Sequence, residues 1–189
     1  MLKPSPGFSL VELMITLAIF SVLISLAIPN YAEWIRNTKV RTAAEAIQNG
    51  LQLAKTEAVR RNTTVRFQLT DTLDSSCAPS TTGPHWVVSL DDATGKCDTP
   101  PSDTVSPRIF GVRNGREGGA STTTLATVAG NTVVFNGMGR ITPASEFTVN
   151  ISDTFSSGPV RSLRIVVSAG GQIRMCDPAL PSTDIQSCG

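Results

Sequence analysis

The chain has 189 residues, which suits one compact domain plus an anchor rather than several domains. A formal net charge of +1 gives no bulk electrostatic attraction to nucleic acid. Only 5% of the residues are aromatic, so the soluble part can bury a core, but a modest one.

Residues 1–7 form a short leader whose only charged side chain is Lys3, a charge that keeps the leader cytoplasmic. Residues 8–28 are apolar apart from Glu12 and scattered Ser and Thr. At 1.5 Å per residue this run is about 30 Å long, enough to cross a bilayer. A cleaved secretory signal fits poorly, because Ala27-Ile28-Pro29-Asn30 lacks a small-x-small site and the apolar stretch is too long. The extreme N-terminal location argues against a buried core helix. A carboxylate within a membrane segment is costly, which makes Glu12 a functional candidate. Pro29 follows the run directly, and a proline there reads as a kink or a helix stop.

The segment Gly7-Phe8-Ser9-Leu10-Val11-Glu12, followed by an apolar helix, resembles the class III signal of type IV pilins and type II secretion pseudopilins. That resemblance implies that a prepilin peptidase cuts after Gly7 and that the new Phe8 amine is N-methylated. A glycine before the cut lets a protease approach the backbone closely. The resemblance also implies that Glu12 pairs with the Phe8 ammonium of a neighbouring subunit in the filament core. A buried ion pair of that kind gives registration more than net stability. It further implies a kink at Pro29 within a continuing helix. This proline is common in pilus subunits and commonly absent from the secretion pseudopilin, so Pro29 favours a pilus.

After Pro29 the apolar residues Val40, Ala43, Ile47, Leu51, Ala54 and Ala58 recur at steps of three and four, one face of an α-helix over residues 30–61. Tyr31, Trp34 and Ile35 extend this pattern toward the membrane boundary, where aromatic rings are comfortable. Arg36, Lys39, Arg41, Lys55, Glu57, Arg60 and Arg61 read as the opposite, polar side. Gly50 weakens the helix by about 1 kcal/mol without breaking it. Arg60-Arg61-Asn62 suits a helix C-terminus, where positive charge meets the dipole. The run Leu53-Ala54-Lys55-Thr56-Glu57-Ala58-Val59-Arg60-Arg61 resembles the L-A-R-S-E-A-x-x-R segment that ends the helix in minor pilins of the GspH/FimT family.

Beyond Asn62 the chain reads as an all-β head, residues 62–189. Short β-rich runs over 64–70, 86–90, 108–112, 132–136, 146–152, 162–168 and 172–176 are separated by turn residues. Val65, Phe67 and Leu69 alternate with Arg66 and Gln68, the pattern of a half-buried strand. Asn136-Gly137-Met138-Gly139 reads as a hairpin turn, because no helix or Walker lysine follows it. Residues 71–103 look irregular, residues 114–131 read as a mobile loop or decorated edge, and residues 179–189 as a tail. Four cysteines, Cys77, Cys97, Cys176 and Cys188, lie beyond the apolar run, and none forms a C-x-x-C pair. With His85 the single histidine, no zinc site is expected, and the even count reads as disulfides in an oxidising compartment. Of the three pairings, Cys77–Cys97 and Cys176–Cys188 are favoured, because each closes a local loop. No H-E-x-x-H, G-x-S-x-G or EF-hand pattern occurs, so neither catalysis nor a cofactor is expected.

The stretch from Ser168 to Pro178 resembles the C-terminal signature of the FimT/FimU branch. DNA-binding members carry G-R-x-R here, whereas this chain has Gly171-Gln172-Ile173-Arg174. Arg174 matches the second arginine, and Gln172 replaces the first with a side chain that supplies no charge to a phosphate. Arg140, Arg161 and Arg164 are candidates to widen a basic patch.

The resemblance as a whole implies an α+β, type IV pilin-like fold: a long N-terminal helix packed on a β-sheet or β-sandwich head with two disulfides. It implies a structural minor pilin that primes pilus assembly at or near the tip. The expected partners are other minor pilins, the major pilin, the prepilin peptidase and, before assembly, the bacterial inner membrane, with the head in the periplasm. A DNA-binding subunit for transformation and a secretion pseudopilin are the alternatives.

Overall fold

The structure is a computed structural model, and it describes residues 7, 9–115, 123–127, 130–153 and 161–188. Of residues 26–30, 32, 123–127 and 153 it describes the backbone alone. One helix, α1 (Leu10–Arg61), runs for 52 residues, about 78 Å at the usual rise. It ends at Asn62, which adopts a left-handed conformation (φ 50°) and donates its N–H to the carbonyls of Ala58 and Val59. Arg60 and Arg61 occupy the last turn, as helix-dipole complementarity favours.

Nine strands follow: β1 (Val65–Thr70), β2 (His85–Ser89), β3 (Ile109–Arg113), β4 (Thr123–Thr127), β5 (Thr132–Phe135), β6 (Ile141–Thr142), β7 (Phe147–Asp153), β8 (Leu163–Val167) and β9 (Ile173–Cys176). They form two antiparallel sheets, β3-β2-β1-β5-β6 (sheet A) and β4-β7-β8-β9 (sheet B). The second half of α1 packs across both. Val40, Ala44, Ile47, Leu51, Ala54 and Ala58 are buried against Val65, Phe67, Trp86 and Phe135 of sheet A and Val149, Ile151, Ile165 and Val167 of sheet B.

Five details differ from the sequence reading. The buried helical line passes through Ala44, with Ala43 only half-buried, because steps of four and three alternate strictly from Val40 to Ala58. Gly50 is buried, and a Cβ there would stand 2.8 Å from Phe67 and 2.9 Å from Trp86. It is therefore a point of close approach between the helix and sheet A. Lys55, Glu57 and Arg61 flank the core rather than facing water. Lys55 donates to the Gly171 carbonyl at 2.8 Å, and Arg61 lies over the Phe110 ring at 4.2 Å while it pairs with Glu57. Gln68 is buried rather than half-exposed, because residues 71–103 cover the outer face of sheet A. Its amide is used on both sides, donating to Asp92 Oδ1 and accepting from the Ala93 N–H. Finally, the 114–131 segment contains an edge strand, β4.

The covering segment has its own small core of Cys77, Val87, Ala93, Cys97 and Ile109, stapled by the Cys77–Cys97 disulfide. The second disulfide joins Cys176 at the end of β9 to Cys188 and ties back the tail. Each closes a short loop, 20 and 12 residues apart in sequence.

Candidate functional site

At the N-terminus Gly7 is exposed, whereas Phe8 and residues 1–6 lie outside the described residues. Ser9 caps α1 in an extended conformation. Its Oγ accepts the Glu12 N–H at 3.2 Å, and Glu12 Oε2 accepts the Ser9 N–H at 3.0 Å. This reciprocal capping box satisfies two of the donors that every helix N-terminus leaves open. Its signature, Ser-x-x-Glu, stands in the sequence as Ser9-Leu10-Val11-Glu12, a local signal for a helix start that the reading of Glu12 as a membrane carboxylate does not include. The Glu12 carboxylate therefore rests on its own helix end, where negative charge is favoured.

From Leu10 to Ile24 the large apolar side chains are 43–74% exposed. Because consecutive residues are exposed (Leu10 and Val11, Leu13 to Ile15, Val22 to Ile24), the apolar surface runs round the whole helix. A helix apolar on all sides needs an apolar surround, either lipid or other helices. Among the described residues no helix is long and apolar enough to cross a membrane. The span expected over 8–28 is described with side chains from residue 9 to residue 25. The helix runs unbroken through Pro29, so this proline does not stop it.

Just past the proline, Tyr31 and Trp34 stack with ring centroids 5.8 Å apart, both more than half exposed. Asn37, three residues further on, accepts the Arg161 N–H at 3.1 Å and so joins the helix to the start of β8.

The C-terminal candidates fall on the β8–β9 hairpin. Gly171 has φ +78°, and a Cβ there would lie 1.8 Å from the Gly139 carbonyl oxygen, so no other residue fits. It is a structural glycine that lets this turn meet both the β5–β6 turn and Lys55. The Gln172 side chain is exposed, while its N–H reaches Ser168 Oγ at 3.2 Å. Arg174 donates through Nη2 to the Cys188 carbonyl at 2.9 Å, holding the tail. Arg164 shares its face of sheet B, since Val166 of β8 pairs with Arg174, but Arg164 Nε is engaged by Asn150 Oδ1 at 2.6 Å. Arg161 grips the buried Asp177 through Nε and Nη2. Arg140 lies on the β5–β6 turn of sheet A, which the Gly171 turn meets. Three of the four arginines, Arg161, Arg164 and Arg174, thus hold partners within the head.

Elsewhere, Arg108 beside Asp91 holds that carboxyl below its ordinary range. The Thr94 hydroxyl and amide, with Gln68, lower Asp92 from 3.8 to about 2. Both pairs brace the covering loop. His85 is buried in β2 and accepts the Gly115 N–H on Nδ1, a structural role. Among the described residues no cluster of His, Cys, Asp and Glu could hold a metal ion.

The family described as Type II transport protein GspH matches residues 43–171, covering the helix second half and most of the head. The prokaryotic N-terminal methylation motif matches residues 3–28. No curated protein matches the chain. Among solved structures, the type IV minor pilin FimU of Pseudomonas aeruginosa is similar at 21% identity with a TM-score of 0.54, over 80% of this chain and 96% of that one. A second crystal form of FimU is similar at 20% identity with a TM-score of 0.51, over 79% and 99%. The minor pseudopilin EpsH of the Vibrio cholerae type 2 secretion system aligns at 15% identity with a TM-score of 0.48, over 75% and 99%. At these identities the likeness concerns the fold. The proteins of this family and fold are structural pilins rather than enzymes. With the family match spanning most of the head, the chain belongs to the GspH family and is a GspH/FimT-like type IV pilin, with a fold similar to that of the minor pilin FimU.

Proposed function

We propose that the chain is a minor pilin of the type IV pilus, a structural subunit that joins other minor pilins to prime assembly and sits at or near the tip. The observation that carries this reading is the division of α1. Its second half is built into the head, and its first half is apolar on every side with no internal cover. Such a half-helix is soluble in lipid before assembly and among other helices after it. On this reading, cleavage after Gly7 frees the Phe8 amine for methylation. The chain then waits in the inner membrane with its head in the periplasm, and Glu12 meets the amine of a neighbour during insertion. Glu12 enters that step already oriented by Ser9. Bulk motion comes from an assembly ATPase elsewhere. Pro29 supports the pilus over the secretion system through the sequence resemblance.

The second reading, a pseudopilin of type II secretion, is favoured by the description of the matched family itself. Complementation separates the two: restored twitching motility in a minor-pilin deletion strain supports the pilus, and restored enzyme export supports secretion. Capture of candidate minor pilins by the head, with DNA as a parallel bait, tests the binding role. Retention of pilins and not of DNA is expected. DNA binding at Gly171, Gln172 and Arg174 gains no support from the geometry, since Gly171 is structural and Arg174 holds the tail.

A further inference from the structure

We propose that a second copy of this chain docks head to tail on the first, the β5–β6 turn of one copy entering a groove at the opposite end of the other's head. This rests on the reading of the chain as a filament subunit. The inserted end is the turn over residues 136–140. It leans on the last part of α1, since a Cβ on Gly139 would stand 3.0 Å from Lys55 and 3.2 Å from Val59. On this turn Met138 is 77% exposed, and Val59 below it is half exposed. Arg140 is exposed too, and its side chain is bonded to none of the described residues. The turn thus offers an adaptable apolar knob and an uncommitted cation.

The receiving end lies where the helix enters the head. A groove of about 450 Å³ there is lined by Trp34, Thr38, Leu163 and Met175, with Gln186 of the tail in its wall. Its volume and apolar side chains suit a methionine. Beside Gln186 stand Asp184 and Ile185, both exposed, and Ile185 is 99% exposed. The tail that carries them is fixed. Cys188 is bonded to Cys176, the Asp177 N–H donates to the Gln186 carbonyl at 2.8 Å, and the Ser187 N–H donates to the Asp184 carbonyl at 3.1 Å. An isoleucine held out on a cross-linked loop loses little freedom on contact. The Asp184 carboxylate accepts the Gln186 N–H through Oδ1 and has lone pairs left for a further donor.

Two matches select a second copy as the occupant. The first is charge: Arg140 is the only charged side chain over residues 136–142, and Asp184 the only one over residues 178–188. The second is length. Thr38 in the groove and Val59 beside the turn are 21 residues apart, about 32 Å along the helix. Docking the turn of one copy in the groove of a parallel copy shifts the two by about that distance. The apolar run over residues 8–28 is about 30 Å long, so the runs of joined copies fall end to end and form one apolar column. Because the two ends are unlike, each contact leaves one of each kind free, and the pairing can be repeated.

The test uses the full chain in a minor-pilin deletion strain. Every described cysteine is in a disulfide, and Met138 and Ile185 are exposed, so Met138→Cys and Ile185→Cys add single reporters without touching the core. The two variants carry different epitope tags, are expressed together and are bridged with a short bismaleimide. A dimer bearing both tags should form, and neither variant expressed alone should give one. Arg140→Asp in the Met138→Cys chain should lower the yield about fivefold, and Asp184→Arg in the Ile185→Cys chain should restore it. Dimers from either variant alone, a yield unmoved by Arg140→Asp, or adducts to a different pilin in place of the second copy would each overturn the proposal. Restoration of motility or enzyme export by the parent chain is read in the same strain. Restoration without the mixed dimer overturns the contact alone; if the parent restores neither and no dimer forms, the filament reading falls with it.

Discussion

Replacing Gly50 by alanine sets two effects of known size against each other. Alanine stabilises a helix interior by about 1 kcal/mol relative to glycine. The new Cβ, however, would stand 2.8 Å from Phe67 Cε2 and 2.9 Å from Cε2 and Cζ2 of Trp86. Carbon atoms pack at about 3.5–4.0 Å, so helix or rings would have to retreat by close to 1 Å. Neither ring can swing away, since Phe67 is fully buried, Trp86 is 7% exposed and the two are in mutual contact at 5.7 Å. Overpacking of this kind costs about 1–3 kcal/mol. The clash outweighs the propensity gain, and Gly50→Ala is expected to destabilise the head by about 1 kcal/mol net. Urea unfolding of a fragment over residues 30–189, followed by circular dichroism, measures it. In a Trp86→Phe background, which removes two of the three close contacts and leaves the one with Phe67, the penalty should shrink. A Gly50→Ala head more stable than its parent, or a penalty unchanged by Trp86→Phe, would refute the reasoning.

Three further outcomes are expected. Glu12→Ala should leave peptidase processing intact but block incorporation, read by immunoblot of membranes against sheared filaments; mutant subunits in normal filaments would contradict the role proposed for Glu12. Replacing Cys176 and Cys188 together by serine should cost roughly 3 kcal/mol in the chain-entropy model and expose the tail to proteases, so an unchanged melting temperature would contradict the tether. Asp92 is lower in the folded state than its ordinary 3.8, at about 2, so its contribution is fully present above about pH 4 and is lost as pH falls toward 2. Asp92→Asn should therefore flatten the acid limb of the stability curve in that window, and an identical limb in parent and variant would exclude Asp92 from it.

The legible parts of the fold are those set by local chemistry. The helix end is written in Arg60-Arg61-Asn62, and the seven β-rich runs all correspond to strands because their apolar residues recur with the right period. What stayed hidden depends on what packs against an element. Gln68 looks like a solvent-facing strand residue until residues 71–103 fold over it. Lys55 looks like a helix-surface charge until the β8–β9 turn brings the Gly171 carbonyl within 2.8 Å. β4 has few large apolar residues and exists because β7 offers it an edge. Arg174 reads equally well as a ligand group or a surface residue, and its use by the Cys188 carbonyl depends on a disulfide that returns the tail. The capping box, by contrast, is local and is written in the spacing of Ser9 and Glu12.

One helix here serves two environments, and the change between them can be located. From Val40 onward the buried residues follow one stripe, with Ala44, Ala54 and Ala58 small enough for the helix to lie close to both sheets. Before Ile24 there is no stripe, because every side is apolar and exposed. A one-sided helix can be satisfied by its own head, but an all-round apolar one cannot, since any single partner leaves most of it in water. Among the described residues, the head is also complete without the first half: its core, both sheets and both disulfides draw on no residue before Val40. The first half can therefore exchange one apolar surround for another without disturbing the head. Between the two halves stand Tyr31, Trp34, Asn37 and Arg41, amphipathic or polar side chains of the kind suited to a boundary between an apolar surround and water.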